Sequence, residues 1–388
     1  MPDGEQQLIV EVLGSIADVS AAEWDACAGP GDPFAGHAFL TALEASGSAS
    51  INRGWLPRHL VARTPDGRLH GALPLYAKGH SYGEYVFDWA WAEAFERAGG
   101  RYYPKLQAAI PFTPVTGRRL LVRDGAPPGT VPALLDAALQ MVEKLGVSSL
   151  HVTFPTEQEA LALAERGFLR RMGHQFHWTN RGYGSFDDFL GDLTARKRKA
   201  IRRERQKATE DGLVLRTLTG PEIQERHWEA FWHFYLDTTQ RKWANAYLTR
   251  DFFFRLGQTM ADRVVLFMAE TGDGTPIGGA LNLLGQDALY GRYWGAREDR
   301  PFLHFEACYY RAIDFAIEHR LARVEAGAQG EHKVRRGYLP QRTWSAHWIV
   351  HDGLRQAVAR FLEAERRSVE AEIAVLRTES PYRQTGDV

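Results

Sequence analysis

The sequence predicts a mixed α/β fold in two tandem copies, closed by a C-terminal helix, and three observations predict it. The chain of 388 residues is too long for one ordinary domain and suits two of about 170–190 residues. Residues 59–73 and 266–281 each read as strand, turn, strand, with Asp66-Gly67 and Asp273-Gly274 at the turns. Both second strands continue into Gly-Ala-Leu, from Gly71 and from Gly279. An Asp-Gly pair between β-rich runs is a strong hairpin signal. Finally, Arg166-Gly167-Phe168 precedes His177-Trp178 at a spacing of 11, and Arg336-Gly337-Tyr338 precedes His347-Trp348 at the same spacing. Landmarks recurring in one order mark an internal duplication.

Taken in order, the hairpin at 59–75 opens the sheet of copy one and that at 265–283 the sheet of copy two. Gly71 to His177 spans 106 residues but Gly279 to His347 only 68. The surplus falls at 76–117, dense in Tyr82, Tyr85, Phe87, Trp89, Trp91, Tyr102, Tyr103 and Phe112. That segment reads as an aromatic insertion with a short helical stretch, either lining a binding site or plugging the core. Thr130 is read as the cap of a helix carrying Leu134, Leu135, Ala138, Val142 and Leu145, stopped by Gly146. Thr156 with Glu159 is a capping box for the next helix, which Gly167 ends.

In copy two, residues 190–208 predict a helix with a narrow apolar stripe of Leu190, Leu193, Ala200, Ile201 and Ala208. Residues 195–207 hold eight Lys/Arg and one Glu, an excess of seven positive charges. A long periodic helix follows from Phe302 to His319, then a short strand at Val324-Glu-Ala-Gly. The tail from Gly353 to Arg377 is amphipathic, through Leu354, Val358, Phe361, Leu362, Val369, Ile373 and Leu376, and should lie on the body. The domain limits read from this pattern are 1–178, 179–352 and 353–388.

Composition narrows the function classes. Hydrophobic residues make up 44% and charged residues 24%, a globular balance, and the formal net charge of −1 gives no bulk attraction to nucleic acid or anionic membrane. Cys27 and Cys308 lie too far apart in sequence for metal-ligand spacing, so no metal is expected. Pro2-Asp3-Gly4-Glu5 gives no secretory signal and no long apolar run follows, so a cytoplasmic protein without a membrane span is expected. Phosphate-loop, Cys-x-x-Cys, His-Glu-x-x-His and Gly-x-Ser-x-Gly patterns are all missing from the sequence.

The stretch from Phe186 to Ala208 leading into Gly212-Leu-Val-Leu resembles the start of the second domain of FemAB-type aminoacyltransferases. Phe234 to Arg241 and Phe252 to Leu256 extend the likeness. Phe302 to Arg311, Glu325 to Lys333, Tyr103 to Gln107 and Pro111 to Pro114 are similar to signatures of a FemAB-like family of peptidoglycan biosynthesis/recognition and predicted N-acyltransferases. The resemblance covers nearly the whole chain. It implies tandem GNAT-like domains (the acyl-CoA N-acyltransferase fold) and transfer of an acyl group to an amine acceptor, a cell-wall precursor among the candidates. The sequence departs from GNAT acetyltransferases at the glycine-rich loop that holds the CoA pyrophosphate. Arg300 to Glu306 and Asp124 to Thr130 stand at the corresponding places. No bound cofactor is therefore expected, and the donor is left between aminoacyl-tRNA and acyl-CoA. A non-catalytic module recognising peptidoglycan or RNA is the other alternative.

Amide formation needs a base for the acceptor's proton and donors for the developing oxyanion. Glu306, Glu331, His332 and Lys333 are the candidate catalytic residues, the last three in a glycine-rich turn after a strand end. Glu306 has apolar neighbours that should raise its pKa; a buried salt bridge to an arginine is its other reading. Gln329, His304, Tyr309, Arg292, Asp88 and Lys105 are candidates for substrate binding, Lys105 for an acceptor phosphate or carboxylate. Arg198, Arg202 and Arg205 are candidates for contact with tRNA or another anion, against a simply solvated face. His177 and His347, before tryptophans, read as structural landmarks.

Overall fold

A computed structural model describes residues 7–241, 246–327 and 330–383. The chain forms two compact units, Met1–Gly173 with Thr343–Val369, and His174–Arg342 with Glu370–Val388. These are not the consecutive segments 1–178 and 179–352 expected from the sequence. The strand Leu169–Thr179 enters the second unit at His174, and Leu339–Ile349 returns to the first at Thr343. Each copy thus supplies the closing strand of the other unit's sheet. A strand's pattern shows where it starts and stops but not which sheet it completes.

In the first unit an antiparallel sheet runs Ile9–Leu13, His59–Arg63, Leu69–Leu73, Leu121–Val122. A second sheet runs Trp55–Pro57, Leu75–Lys78, Lys105–Ala108, Ser149–Thr153 and residues 345–349. Lys105–Ala108 and Ser149–Thr153 are parallel, joined through the helix Thr130–Leu145. Leu134, Leu135, Ala138 and Val142 of that helix are buried against Leu60, Leu73 and Leu106. Thr130 is the first helical residue rather than the cap: Gly129 takes the cap position, and the Thr130 hydroxyl donates to Pro127 O. Thr156 and Glu159 form the reciprocal capping box the sequence predicts.

The segment 76–117 is only partly an insertion. Leu75–Lys78 and Lys105–Ala108 are sheet strands, and the latter is buried on both faces. Its four residues alternate polar and apolar, the pattern of a short half-exposed strand, whereas Lys105 and Gln107 are as buried as Leu106 and Ala108. The added material is residues 79–104, including the helix Trp89–Arg97.

The second unit repeats the plan. Val214–Thr219, Val264–Glu270, Pro276–Leu284 and Ala288–Ala296 are antiparallel in that order. Arg323–Glu325 adds in parallel and residues 177–179 antiparallel. The duplicated hairpins hold the same place, second and third from an antiparallel edge. Their turns match bond for bond: Gly67 N–H donates to Thr64 O and Gly274 N–H to Thr271 O, both at 2.8 Å. Both glycines have left-handed φ, +86° and +85°, which a side chain would strain. Gly295 serves close packing instead: an added Cβ would lie 2.2 Å from Phe234 O of the helix Glu225–Arg241.

Two helices depart from expectation. The basic segment breaks into Phe186–Gly191 and Ala195–Ala208. The stretch from Phe302 to His319 is not one regular helix: Phe302 has φ +64°, Leu303–Phe305 makes one turn, Glu306–Tyr310 is a π-helical turn and Arg311–Glu318 is α-helical. π turns widen a helix by one residue and are frequent where side chains must be re-aimed. The tail forms the helix Asp352–Thr378, burying Leu354, Val358 and Leu362 against Trp91, Tyr102 and Ile349 in the first unit. Leu376 and the following Tyr382 belong to the core of the second. Among the described residues no helix is long and apolar enough to cross a membrane.

Candidate active site

In the second unit two parallel strands part. Ala288–Ala296 pairs with Arg323–Glu325 only from Ala288 to Tyr290, the last partners being Tyr290 and Glu325. Residues 291–296 continue, paired on their other side with Pro276–Leu284. Among the described residues no strand pairs with the edge that faces away from Pro276–Leu284. Ligands bind at the strand ends of α/β sheets, where such a pair parts.

Side chains from three segments gather at this opening. The turn Glu331–Arg336 brings His332 to the π turn, where its Nε2 lies 3.1 Å from Tyr309 Oη. Phe305 and His304 flank it, with ring centroids 5.4 and 6.4 Å from the imidazole. His304 in turn packs edge-on against Trp294 of the parted strand at 5.4 Å. His332 is exposed at the opening; partial desolvation, and then the charges of Arg336 and Lys333, lower its pKa and favour the neutral ring. Lys333 is buried with its Nζ donating to Ala326 O at 2.5 Å, just beyond the strand end. Loss of water, which its carbonyl partners only partly replace, lowers its pKa to about 8.

At the strand end His177 Nε2 lies 3.5 Å from Glu325 Oε2, and Arg323 donates to the other oxygen of Glu325 at 2.9 Å. Burial lowers the His177 pKa, opposed by Glu325 and assisted by Arg323 and Lys333. Sequence reasoning treated His177 as a landmark and left Glu325 without a role. The equal 11-residue spacing flagged the histidine, but only the pairing of residues 177–179 with Arg323–Glu325 puts it here.

Of the residues named from sequence, His304, Tyr309, His332 and Lys333 lie around this opening, and Arg292 is half-buried on the parted strand. Glu331 is exposed beside them, and Gln329 lies outside the described residues. Glu306 does not join them. Arg205 Nε and Nη2 donate to its two oxygens at 3.1 and 2.9 Å, and Arg205 also reaches Asp314 at 2.5 Å. Burial raises the Glu306 pKa against the pull of Arg205. Beside this pair Tyr310 Oη and Arg336 both donate to Glu204, so Glu204 and Arg205 anchor the basic helix on the π turn. Arg205 is therefore occupied by carboxylates rather than open to a phosphate. Arg202 is exposed, paired with exposed Asp187 at 2.8 Å, and Arg198 is half-exposed.

Asp88 and Lys105 sit elsewhere, in the first unit. Lys105 is fully buried and donates to Asp88 at 2.5 Å, Glu84 at 2.8 Å and Ser81 at 2.7 Å. Its charge is neutralised inside the fold, which corrects the expectation that it could hold an acceptor's phosphate or carboxylate. No group of three or more metal-ligating side chains is found among the described residues.

A family profile described as FemAB-like, peptidoglycan biosynthesis/recognition, matches residues 15–384. No curated protein matches the chain. Among solved structures, FemX is similar at 13% identity with a TM-score of 0.55, covering 88% of this chain and 98% of that one. L-PGS from Bacillus licheniformis is 10% identical with a TM-score of 0.50, covering 89% and 96%. The C-terminal domain of a putative lysylphosphatidylglycerol synthetase from Agrobacterium fabrum is 9% identical with a TM-score of 0.55, covering 90% and 97%. At these identities the likeness is one of fold.

Proposed function

Because the chain belongs to the FemAB-like family of peptidoglycan biosynthesis/recognition, with its tandem GNAT-like fold, we propose that it is an N-acyltransferase that forms an amide on an amine of a peptidoglycan precursor. The observation that carries this reading is the parted strand pair of the second unit, with a neutral histidine and a buried lysine at its open end. The acceptor nitrogen attacks the donor's carbonyl carbon. His332, held through Tyr309, takes the proton from that nitrogen, and Lys333 stabilises the developing oxyanion. The carbon–oxygen bond to the donor then breaks, and the proton on His332 passes to the departing alcohol. His177 and Glu325 fix the strand end from which Ala326 O holds Lys333.

An aminoacyl-tRNA donor fits better than acyl-CoA. Phe302, a non-glycine residue at φ +64°, stands where a CoA-binding loop would open its helix, and the turn beyond it gives way at once to the π turn. The helix Ala195–Ala208 keeps Arg196, Lys199, Arg202 and Arg203 exposed for a polyanion. The test is mass spectrometry of a peptidoglycan precursor incubated with the protein and either aminoacyl-tRNA or acyl-CoA. An added acyl mass on the amine with the tRNA donor supports the reading; no product with either donor overturns it.

A further inference from the structure

The loop of the first unit that separates Leu75–Lys78 from Lys105–Ala108 presents aromatic rings to solvent. Tyr82 is 54% exposed, Phe87 52%, Trp89 47% and Tyr85 38%. The rings form one surface, with the Trp89 centroid 5.7 Å from Tyr82 and 5.1 Å from Phe87. Contiguous exposed apolar surface on a folded protein marks a place of interaction.

This surface is held rigid from below. Lys105 binds Ser81, Glu84 and Asp88 of the loop, and Lys78 Nζ donates to Tyr82 O at 3.1 Å. Arg171, itself paired with Glu365, donates to Phe87 O at 2.7 Å. A run of ring-bearing residues fixed at both ends and its middle loses little conformational entropy when a ligand settles on it.

The chemistry of the surface selects the ligand. Residues 79–90 contain only Glu84 and Asp88 as carboxylates, both buried, and His80, which burial keeps neutral. The next helix carries exposed Glu93, Glu96 and Arg97, with Glu93 and Arg97 3.9 Å apart, and no cluster of basic residues. Nucleic acid and anionic lipid both require clustered Lys or Arg. A surface of exposed, mutually tilted rings bearing phenol hydroxyls and lacking clustered cations suits an uncharged ligand with an apolar C–H face and a hydroxyl rim, which describes a saccharide. We propose that Tyr82, Phe87 and Trp89 form a sugar-stacking subsite for a glycan of the peptidoglycan type. This rests on the acceptor reading above only for the source of the glycan.

Saturation-transfer NMR of the full chain with an N-acetylglucosamine tetramer tests it, beside sedimentation with neutral and anionic vesicles. The expected result is tetramer binding by the parent protein, weakened at least tenfold in Trp89→Ala and Phe87→Ala and unchanged in Phe361→Ala, with thermal midpoints preserved. A parent protein that ignores the tetramer, variants that bind it equally well, or vesicle binding that Trp89→Ala abolishes each overturn the proposal. Amide formation on a sugar-free peptide amine reports on the transferase reading alone. Absent glycan binding refutes the subsite whether or not that transfer occurs.

Discussion

His347 Nδ1 lies 2.6 Å from His151 Nδ1, and the two residues are register partners on antiparallel strands of the first unit. In the second unit the equivalent register pairs His177 with Glu325. The duplicated histidines therefore do one structural job with different partners. Where His177 meets a carboxylate, His347 meets a second imidazole, and both rings of that pair cannot carry two protons at this distance.

Burial, reinforced by nearby cations, lowers the His151 pKa from 6.5 to about 3 and holds His347 well below its ordinary value. A histidine whose folded pKa is depressed contributes nothing above its unfolded pKa. As pH falls below about 6.5 the unfolded chain binds the proton first, so stability is lost at about 1.4 kcal/mol per pH unit for each such histidine. Denaturant midpoints should drop between pH 7.5 and pH 5, and His347→Gln should make that drop shallower. Equal slopes in the two proteins would reject the assignment.

The two buried lysines of the first unit should answer oppositely to removal. Lys105→Met leaves Glu84 and Asp88 buried without their cation, and a loss of about 3–5 kcal/mol is expected. Lys78 pairs only loosely with Glu84, at 3.9 Å, and burial lowers its pKa to about 7 against the pull of that carboxylate. Lys78→Met should therefore be neutral or stabilising. Urea titrations at pH 7 separate these outcomes, and comparable losses in both variants would contradict the picture.

Arg205 and its neighbours on the basic helix should likewise divide. Arg205→Met strands the buried Glu306 carboxylate, and about 2 kcal/mol should be lost, less than for a fully buried pair because Arg205 is partly solvated. Arg198→Glu and Arg202→Glu should change stability by no more than about 0.5 kcal/mol. If tRNA is the donor they should instead weaken binding and flatten its salt dependence, by about 0.9 in log–log slope for each duplex phosphate no longer neutralised. Filter binding across a salt series reads this directly.

Transferase activity should follow a bell-shaped pH profile. His332 must be neutral to accept a proton, so the rate should rise as pH increases toward its depressed pKa and then level. Lys333 must stay protonated, so the rate should fall as pH passes about 8. Lys333→Met should lower turnover about 10²-fold and remove the alkaline limb. An alkaline limb that persists in Lys333→Met would assign it to another group.

The sequence by itself determined the duplication, both hairpins with their Asp-Gly turns, the capping box at Thr156 and the tail helix. All of these rest on short-range pattern: a left-handed glycine, a side chain three residues from its backbone partner, an apolar face repeating with the helical period. It also singled out His332 and Lys333, because a turn after a strand end is a local feature, whereas the contact of His332 with Tyr309 was decided by the tertiary structure. Only the tertiary structure decided that each copy's closing strand belongs to the other unit, which sets His177 beside Glu325 and His347 beside His151. It likewise decided that Glu306 and Lys105 face buried partners rather than substrate. Arg205 stands 101 residues from Glu306, and Glu84 stands 21 from Lys105. The composition of a segment shows that a charge is present; which countercharge packs against it depends on how distant segments fold together.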